Sequence, residues 1–231
     1  MEAIRLVAIS TGGGDAPGLN AVIRSVTLAA RNRGWDVVGI RDGFNGLLLP
    51  DDYDGDGVIE LSRGSVRGIS HLGGTILGST NKGNPTAYPV QQTDGSWVEV
   101  DRTDELLARF ADAGIDALIT VGGDGSLTIG NHLHRQGLRV IGVPKTIDND
   151  LDKTTATLGF DTAVGFATEC IDRLFSTATS HGRVIVVEVM GRYAGWIALH
   201  SGMAAGAPCI LIPEIPYSLA PVAATIRQRE E

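Results

Sequence analysis

Short apolar runs rich in valine and isoleucine alternate along this chain with longer stretches whose apolar residues recur at helical spacing. The runs predict strands over residues 5–10, 36–40, 117–121, 140–143, 184–189 and 209–212. The helical spacing predicts helices over residues 19–32, 103–113, 127–136, 162–177, 194–203 and 219–229. Alternation of this kind predicts an α/β fold with a largely parallel sheet and helices on both faces. Ligands of such sheets gather at the carboxyl ends of the strands. The glycine clusters fall there: Gly12-Gly13-Gly14 after the first run, Gly122-Gly123 after Val121, and Gly191 after Val189.

Residues 41–100 break the alternation. They are rich in Gly, Asp, Asn and Pro, with a turn pattern at Gly43-Phe44-Asn45-Gly46 and a hairpin or loop pattern over residues 91–96. A long helix opening near Gly159 predicts two domains, residues 1–159 and 160–231. The charged, helix-like stretch from Arg227 to Glu231 lacks a capping residue, which predicts that the second domain is cut short.

At 43% hydrophobic and 20% charged, the 231 residues have the composition of a protein with a buried core. A net charge of −8 argues against nucleic acid as the partner. No apolar run reaches the ~18 residues of a membrane span, and the first apolar run is too short for a signal segment. The expected location is the cytoplasm, with no membrane association. Cys170 and Cys209 stand outside any metal-ligand spacing and read as reduced thiols. Asp52-Tyr53-Asp54-Gly55-Asp56-Gly57 mimics half of a calcium loop, but Arg63 stands where its closing glutamate belongs. It reads as a solvated acidic loop.

Four motifs carry chemistry. Residues 119–126, Ile-Thr-Val-Gly-Gly-Asp-Gly-Ser, run from strand through glycine turn to helix start. Glycines there let backbone approach a phosphate, and free N–H groups at the helix start face the anion. Asp124 is placed to hold the magnesium that accompanies polyphosphates. Residues 10–20, Ser-Thr-Gly-Gly-Gly-Asp-Ala-Pro-Gly-Leu-Asn, repeat the strand–turn–helix pattern but match neither the Walker A loop nor the dinucleotide fingerprint. Pro144-Lys145-Thr146-Ile147-Asp148-Asn149-Asp150 sets two carboxylates after a strand, and Asp148 is placed to take a proton from an alcohol. In Met190-Gly191-Arg192-Tyr193, Arg192 is placed to neutralise a phosphate. Taken singly, each motif also fits a ligand-free turn, an Asx-rich cap or a surface arginine.

In this order and spacing, with Gly43-Phe44-Asn45-Gly46-Leu47, Gly73-Gly74-Thr75-Ile76-Leu77-Gly78-Ser79 and Gly159-Phe160-Asp161-Thr162-Ala163, the motifs closely resemble the 6-phosphofructokinase family. The resemblance implies two three-layer, Rossmann-like α/β/α domains, the second truncated. It implies transfer of a phosphoryl group from ATP, with Mg2+, to the 1-hydroxyl of fructose 6-phosphate. Gly13, Gly123, Asp124, Gly125 and Ser126 would cradle the donor, with Asp124 on the metal. Thr146, Ile147 and Asp148 would contact the sugar, Asp148 as base. Met190, Gly191 and Arg192 would bind its phosphate side. Arg183 would reach a neighbouring subunit, which implies a homo-oligomer, a dimer or tetramer. Asn81 stands where many bacterial members have arginine, with Lys82 beside it to supply the charge. Gly125 is the residue type of ATP-using members, whereas Lys145 is shared with pyrophosphate-using ones, so the chain resembles a mixed subgroup. An unblocked position 125 favours ATP, and pyrophosphate is the alternative. The family's pattern runs on past Glu231 to a His-x-x-Arg clamp, so an inactive binding fragment is the third expectation.

Overall fold

The computed structural model describes residues 3–230, which form two compact units dividing after Lys145. In the first unit the strands are β1 (Leu6–Thr11), β2 (Asp36–Ile40), β3 (Val58–Glu60), β4 (Tyr88–Gln91), β5 (Trp97–Val100), β6 (Ala117–Gly122) and β7 (Arg139–Thr146). Its helices are α1 (Leu19–Asn32), α2 (Asn45–Leu48), α3 (Thr103–Asp112) and α4 (Asp124–Arg135). Within this unit the strands of the main sheet run β3-β2-β1-β6-β7. Its contacts are parallel except for the antiparallel edge strand β3.

Alternate side chains of the central strands enter two separate cores, as a sheet covered on both faces requires. Ala8 and Leu118 pack with Phe110 and Leu133 on one face. Ile9 and Val121 pack with Leu19, Ile23 and Val37 on the other. Asp116 starts the ladder: its Oδ2 accepts the N–H groups of Arg5 (2.7 Å) and Leu6 (2.9 Å) at the foot of β1. α4 lies close on the sheet because Gly130 faces Thr120; a Cβ at Gly130 would come 2.7 Å from the threonine methyl.

The segment expected to be irregular holds an antiparallel hairpin, β4–β5, closed by a turn in which Gln92 N–H donates to Ser96 O. The expected turn at residues 43–46 leads into the single-turn helix α2. Gly46 and Gly57 touch through their backbones there, too closely for any Cβ at either position.

The second unit holds a two-residue strand, β8 (Leu158–Gly159), and the helices α5 (Phe160–His181), α6 (Trp196–Ala204) and α7 (Leu219–Glu230). α5 ends at Gly182, whose φ of 58° is left-handed. His200 of α6 meets the Phe160 ring edge-on at 5.3 Å. No helix among the described residues is long and apolar enough to cross a membrane. The strands expected over residues 184–189 and 209–212 do not form. A strand exists only where neighbours supply N–H and C=O groups, and among the described residues neither segment has a ladder partner. Val186 accordingly stands 89% exposed despite its strong β propensity.

Leu118 is fully buried at the centre of the sheet. Leu118→Ala will lower the stability of the first unit by about 2–5 kcal/mol. Urea unfolding followed by circular dichroism checks this, as a lower midpoint with an unchanged slope.

Candidate functional site

Register builds the first part of the candidate site. Thr11 of β1 stands opposite Val121 of β6. Val121 and Gly122 stand opposite Val143 and Pro144 of β7. The chain therefore leaves three adjacent strands at one level, and residues 12–14, 122–123 and 145 come together. Gly12 N–H donates to Val121 O at 3.0 Å, extending the ladder into the turn. Ser126 of α4 packs against Gly12 and Gly122; a Cβ on Gly12 would lie 2.6 Å from the serine hydroxyl. Glycine at these positions is thus a consequence of how α4 meets the sheet.

Gly13 adopts a left-handed φ of 79°, which favours glycine. Its N–H donates to Thr80 O (2.9 Å), and its carbonyl accepts the Ser79 hydroxyl. The Thr11 hydroxyl donates to Gly78 O at 2.7 Å and lies 3.1 Å from the Thr75 hydroxyl. Residues 75–80 are thereby laced to the first glycine loop. Between them opens a cavity of about 570 Å3 lined by residues 13–15, 74–75 and 79–82. That volume suits a small-molecule ligand. Gly13, Asn81 and Lys82, expected from sequence to meet the donor, share this cavity. Asp15, Thr75, Ser79 and Thr80 join them there; the glycine-rich spacing of residues 73–79 was the signal that could have found Thr75 and Ser79.

The helix expected to begin at Leu127 begins at Asp124 instead. Leu127 N–H donates to Gly123 O, so Asp124, Gly125 and Ser126 form the first turn. Gly125 hid that turn, because glycine is a poor helix former. The N–H groups of these three residues have no carbonyl partner within the helix and point along its positive end. A Cβ at Gly125 would meet nothing within 4 Å, so packing does not explain glycine there.

Lys145 is 5% exposed, and its ammonium donates to Gly14 O. It has no ion pair among the described residues. Burial holds its pKa below the ordinary lysine value, with nearby Asp15 pulling the other way. One of three ammonium donors is used by the carbonyl, leaving two for an anion. Asp124 is exposed and free of ion pairs among the described residues. No cluster of three acidic, His or Cys side chains stands among them either. A single carboxylate beside an anion cradle fits Mg2+, which keeps waters and takes further oxygens from phosphates, and does not fit a metal needing an all-protein cage.

The second unit opens with Thr146, Ile147 and Asp148. Asp148 N–H donates to the Thr146 hydroxyl at 3.1 Å. Asp148 Oδ1 is buried and has no hydrogen-bond partner. Burial, and secondarily Asp150, raises the Asp148 pKa above the ordinary carboxylate value. A buried acceptor without a donor is costly, and a ligand hydroxyl would satisfy it. Arg183 follows the end of α5 and is exposed. Met190 is exposed, Gly191 is left-handed at φ 133°, and the Arg192 guanidinium lies over the Tyr193 ring at 5.7 Å. Among the described residues, no hydrogen bond or ion pair joins Arg183 or residues 190–192 to residues 146–148.

Glycine turns that end three parallel strands at one level, followed in sequence by a turn carrying a carboxylate oxygen without a donor, define an α/β protein with a candidate anion site. The phosphofructokinase family model matches residues 6–231, and the chain belongs to this family. It is 50% identical to an "ATP-dependent 6-phosphofructokinase 2" of Clostridium perfringens, over 100% of this chain and 62% of that protein. It is 49% identical to a "Pyrophosphate--fructose 6-phosphate 1-phosphotransferase" of Amycolatopsis mediterranei, over 97% of this chain and 61% of that protein. A crystal structure of Pichia pastoris phosphofructokinase in the T-state matches with a TM-score of 0.81 at 35% identity, over 100% of this chain and 25% of that one. The chain thus spans about 62% of the length of the first of these curated relatives.

The raised Asp148 pKa has a definite sign. Its folded value lies above its unfolded one, so the stability it contributes is present at low pH and is lost as pH rises through the folded pKa. A carboxyl 13C NMR titration will place its midpoint above the ordinary ~3.9 of aspartate. Asp150→Asn will bring the midpoint only partway down, because burial is the larger cause.

Proposed function

We propose that this chain carries the donor machinery and the catalytic base of an ATP- and Mg2+-dependent 6-phosphofructokinase. The observation that carries the reading is Asp148, a half-buried carboxylate whose Oδ1 is buried with an empty acceptor position, on the turn after a strand. The 1-hydroxyl of fructose 6-phosphate donates to Asp148 Oδ1 and loses its proton there as oxygen attacks the γ-phosphorus of ATP. The bond from that phosphorus to the bridging oxygen breaks, and ADP leaves. The Thr146 hydroxyl accepts the Asp148 N–H and keeps its own proton for the sugar or the phosphoryl group. Ile147 lies beside the sugar, and Met190, Gly191 and Arg192 form its phosphate contact. Arg183 serves the site of a neighbouring subunit in a homo-oligomer, and the enzyme works in the cytoplasm.

On the donor side, Gly13, Gly123, Gly125 and Ser126 present backbone to the polyphosphate, and Asn81 and Lys82 edge the cavity. Asp124 would hold Mg2+, which neutralises charge on the phosphates as the γ-phosphoryl departs. The open space at Gly125 supports ATP: packing does not require glycine in this first helical turn, and room for a nucleotide explains it. A specific observation also favours a second reading, pyrophosphate as donor: the buried Lys145 ammonium beside the first glycine loop suits a compact polyanion.

Fructose 6-phosphate with ATP is expected to turn over, and with pyrophosphate to turn over far more slowly; the reverse ranking overturns the choice of donor. Asp148→Asn is expected to cut kcat by about 10²–10⁴-fold with donor KM little changed. Gly125→Asp is expected to lower kcat/KM for ATP by at least about tenfold and to spare pyrophosphate. Equal losses for both donors would show that position 125 does not choose between them.

A further inference from the structure

The turn that presents Asp148 is held by hydrogen bonds of two residues, Asn149 and Thr157. Asn149 sits at a left-handed φ of 51°, a conformation asparagine tolerates better than most residues. Its side-chain carbonyl accepts the Thr157 N–H at 2.9 Å and lies 3.3 Å from the Thr157 hydroxyl. The same hydroxyl lies 2.6 Å from the Thr146 carbonyl, a distance at which it donates its proton there. Thr157 therefore grips the turn at both ends: Thr146 before Asp148 and Asn149 after it. Thr157 is 6% exposed, so water does not compete for these bonds. Its own carbonyl accepts the Phe160 N–H at 3.3 Å, which ties the grip to the first turn of α5.

This closed ring bears on the one buried side-chain oxygen among the described residues that lacks a partner, Asp148 Oδ1. An unsatisfied carboxylate oxygen relaxes toward water or toward any nearby N–H unless its backbone is fixed. Left-handed Asn149 and the two Thr157 bonds fix it from outside the reacting atoms.

We propose that Asn149 and Thr157 are positioning residues that hold the Asp148 Oδ1 buried and unpartnered, ready for the substrate hydroxyl. The proposal rests on the kinase reading with Asp148 as base. Thr157 acts through its hydroxyl and amide, and Asn149 through its side-chain oxygen. Neither touches sugar or nucleotide.

Steady-state kinetics of the full chain test this with two pairs of variants. Thr157→Val keeps the shape and loses the hydroxyl, and Thr157→Ser restores it. Asn149→Gly keeps the left-handed backbone and loses the clasp, and Asn149→Asp restores an acceptor oxygen. Thr157→Val and Asn149→Gly are expected to lose about 10- to 100-fold in kcat, the scale of a misplaced reacting group, with KM for ATP unchanged. The acid limb of their kcat–pH profiles is expected to move down toward the ordinary aspartate range, because Asp148 becomes hydrated. Thr157→Ser is expected to recover kcat and the acid limb. In Asn149→Gly, amide exchange at Thr157 is expected to speed up, which reads the clasp without any assay of turnover. Full kcat in Thr157→Val, or equal losses in Thr157→Val and Thr157→Ser, overturns the clasp. Should Thr157→Val fail to fold, Asn149→Gly decides on the same readouts. An Asp148→Asn variant that retains turnover overturns the kinase reading and the clasp together. An inactive Asp148→Asn beside a fully active Thr157→Val overturns the clasp alone.

Discussion

Three parallel strands ending at one height set the terms for the first unit. The pairing of Ser10 with Thr120, and of Thr120 with Gly142, fixes β1, β6 and β7 in a common register. A slip of one residue would turn Ala8 and Ile9 to the wrong cores and would also stagger the turns that follow. Because the register holds, the backbone that leaves β1 can donate directly to the last carbonyls of β6. The serine on the first turn of α4 can then fill the notch left by two glycines. Hydrophobic packing on both faces and the anion cradle at the edge are thus two results of one alignment.

Residues 145–148 of the chain carry charge that has no opposite partner among the described residues. Lys145 is buried against a neutral carbonyl, and half-buried Asp148 has a buried oxygen facing no donor. Ordinary stability would favour pairing each with an opposite charge or replacing it with an apolar residue. Their opposite pKa displacements, lysine down and aspartate up, have burial as their shared leading cause. Each is a local cost that a bound anion or a bound hydroxyl would offset. Stability spent in this way at neighbouring chain positions is the physical mark of a functional segment.

Much of this was legible in the chain. β-branched runs ending in glycine located β1, β6 and the turns after them, because a parallel strand buried on both faces has no polar alternation to blur it. The hairpin at residues 91–96 was legible from its turn residues. The start of α4 was not, since Gly125 weakens the helical signal in the very turn that matters. Residues 184–189 and 209–212 carry strong strand composition, but propensity cannot supply a neighbouring strand. The lacing of Thr11 to Thr75 and the grip of Thr157 on Asn149 were invisible for another reason. They are side-chain bonds between segments whose proximity only the fold decides.

The cradle also depends on widely separated parts of the chain. Its first loop, at residues 12–14, is closed by Ser79, 66 residues later, and by Lys145, 131 residues after Gly14. Contacts of such long range close loops at a high entropic cost and form slowly. On the ribosome, where the amino end emerges first, the glycine loop is among the earliest segments made. Its contacts with Ser79 and Thr80 become available first, and its contact with Lys145 only once β7 has been synthesised. The pocket, lined by residues 13–15, 74–75 and 79–82, thus draws only on the first 82 residues, whereas the lysine that closes its loop comes from the last strand of the unit.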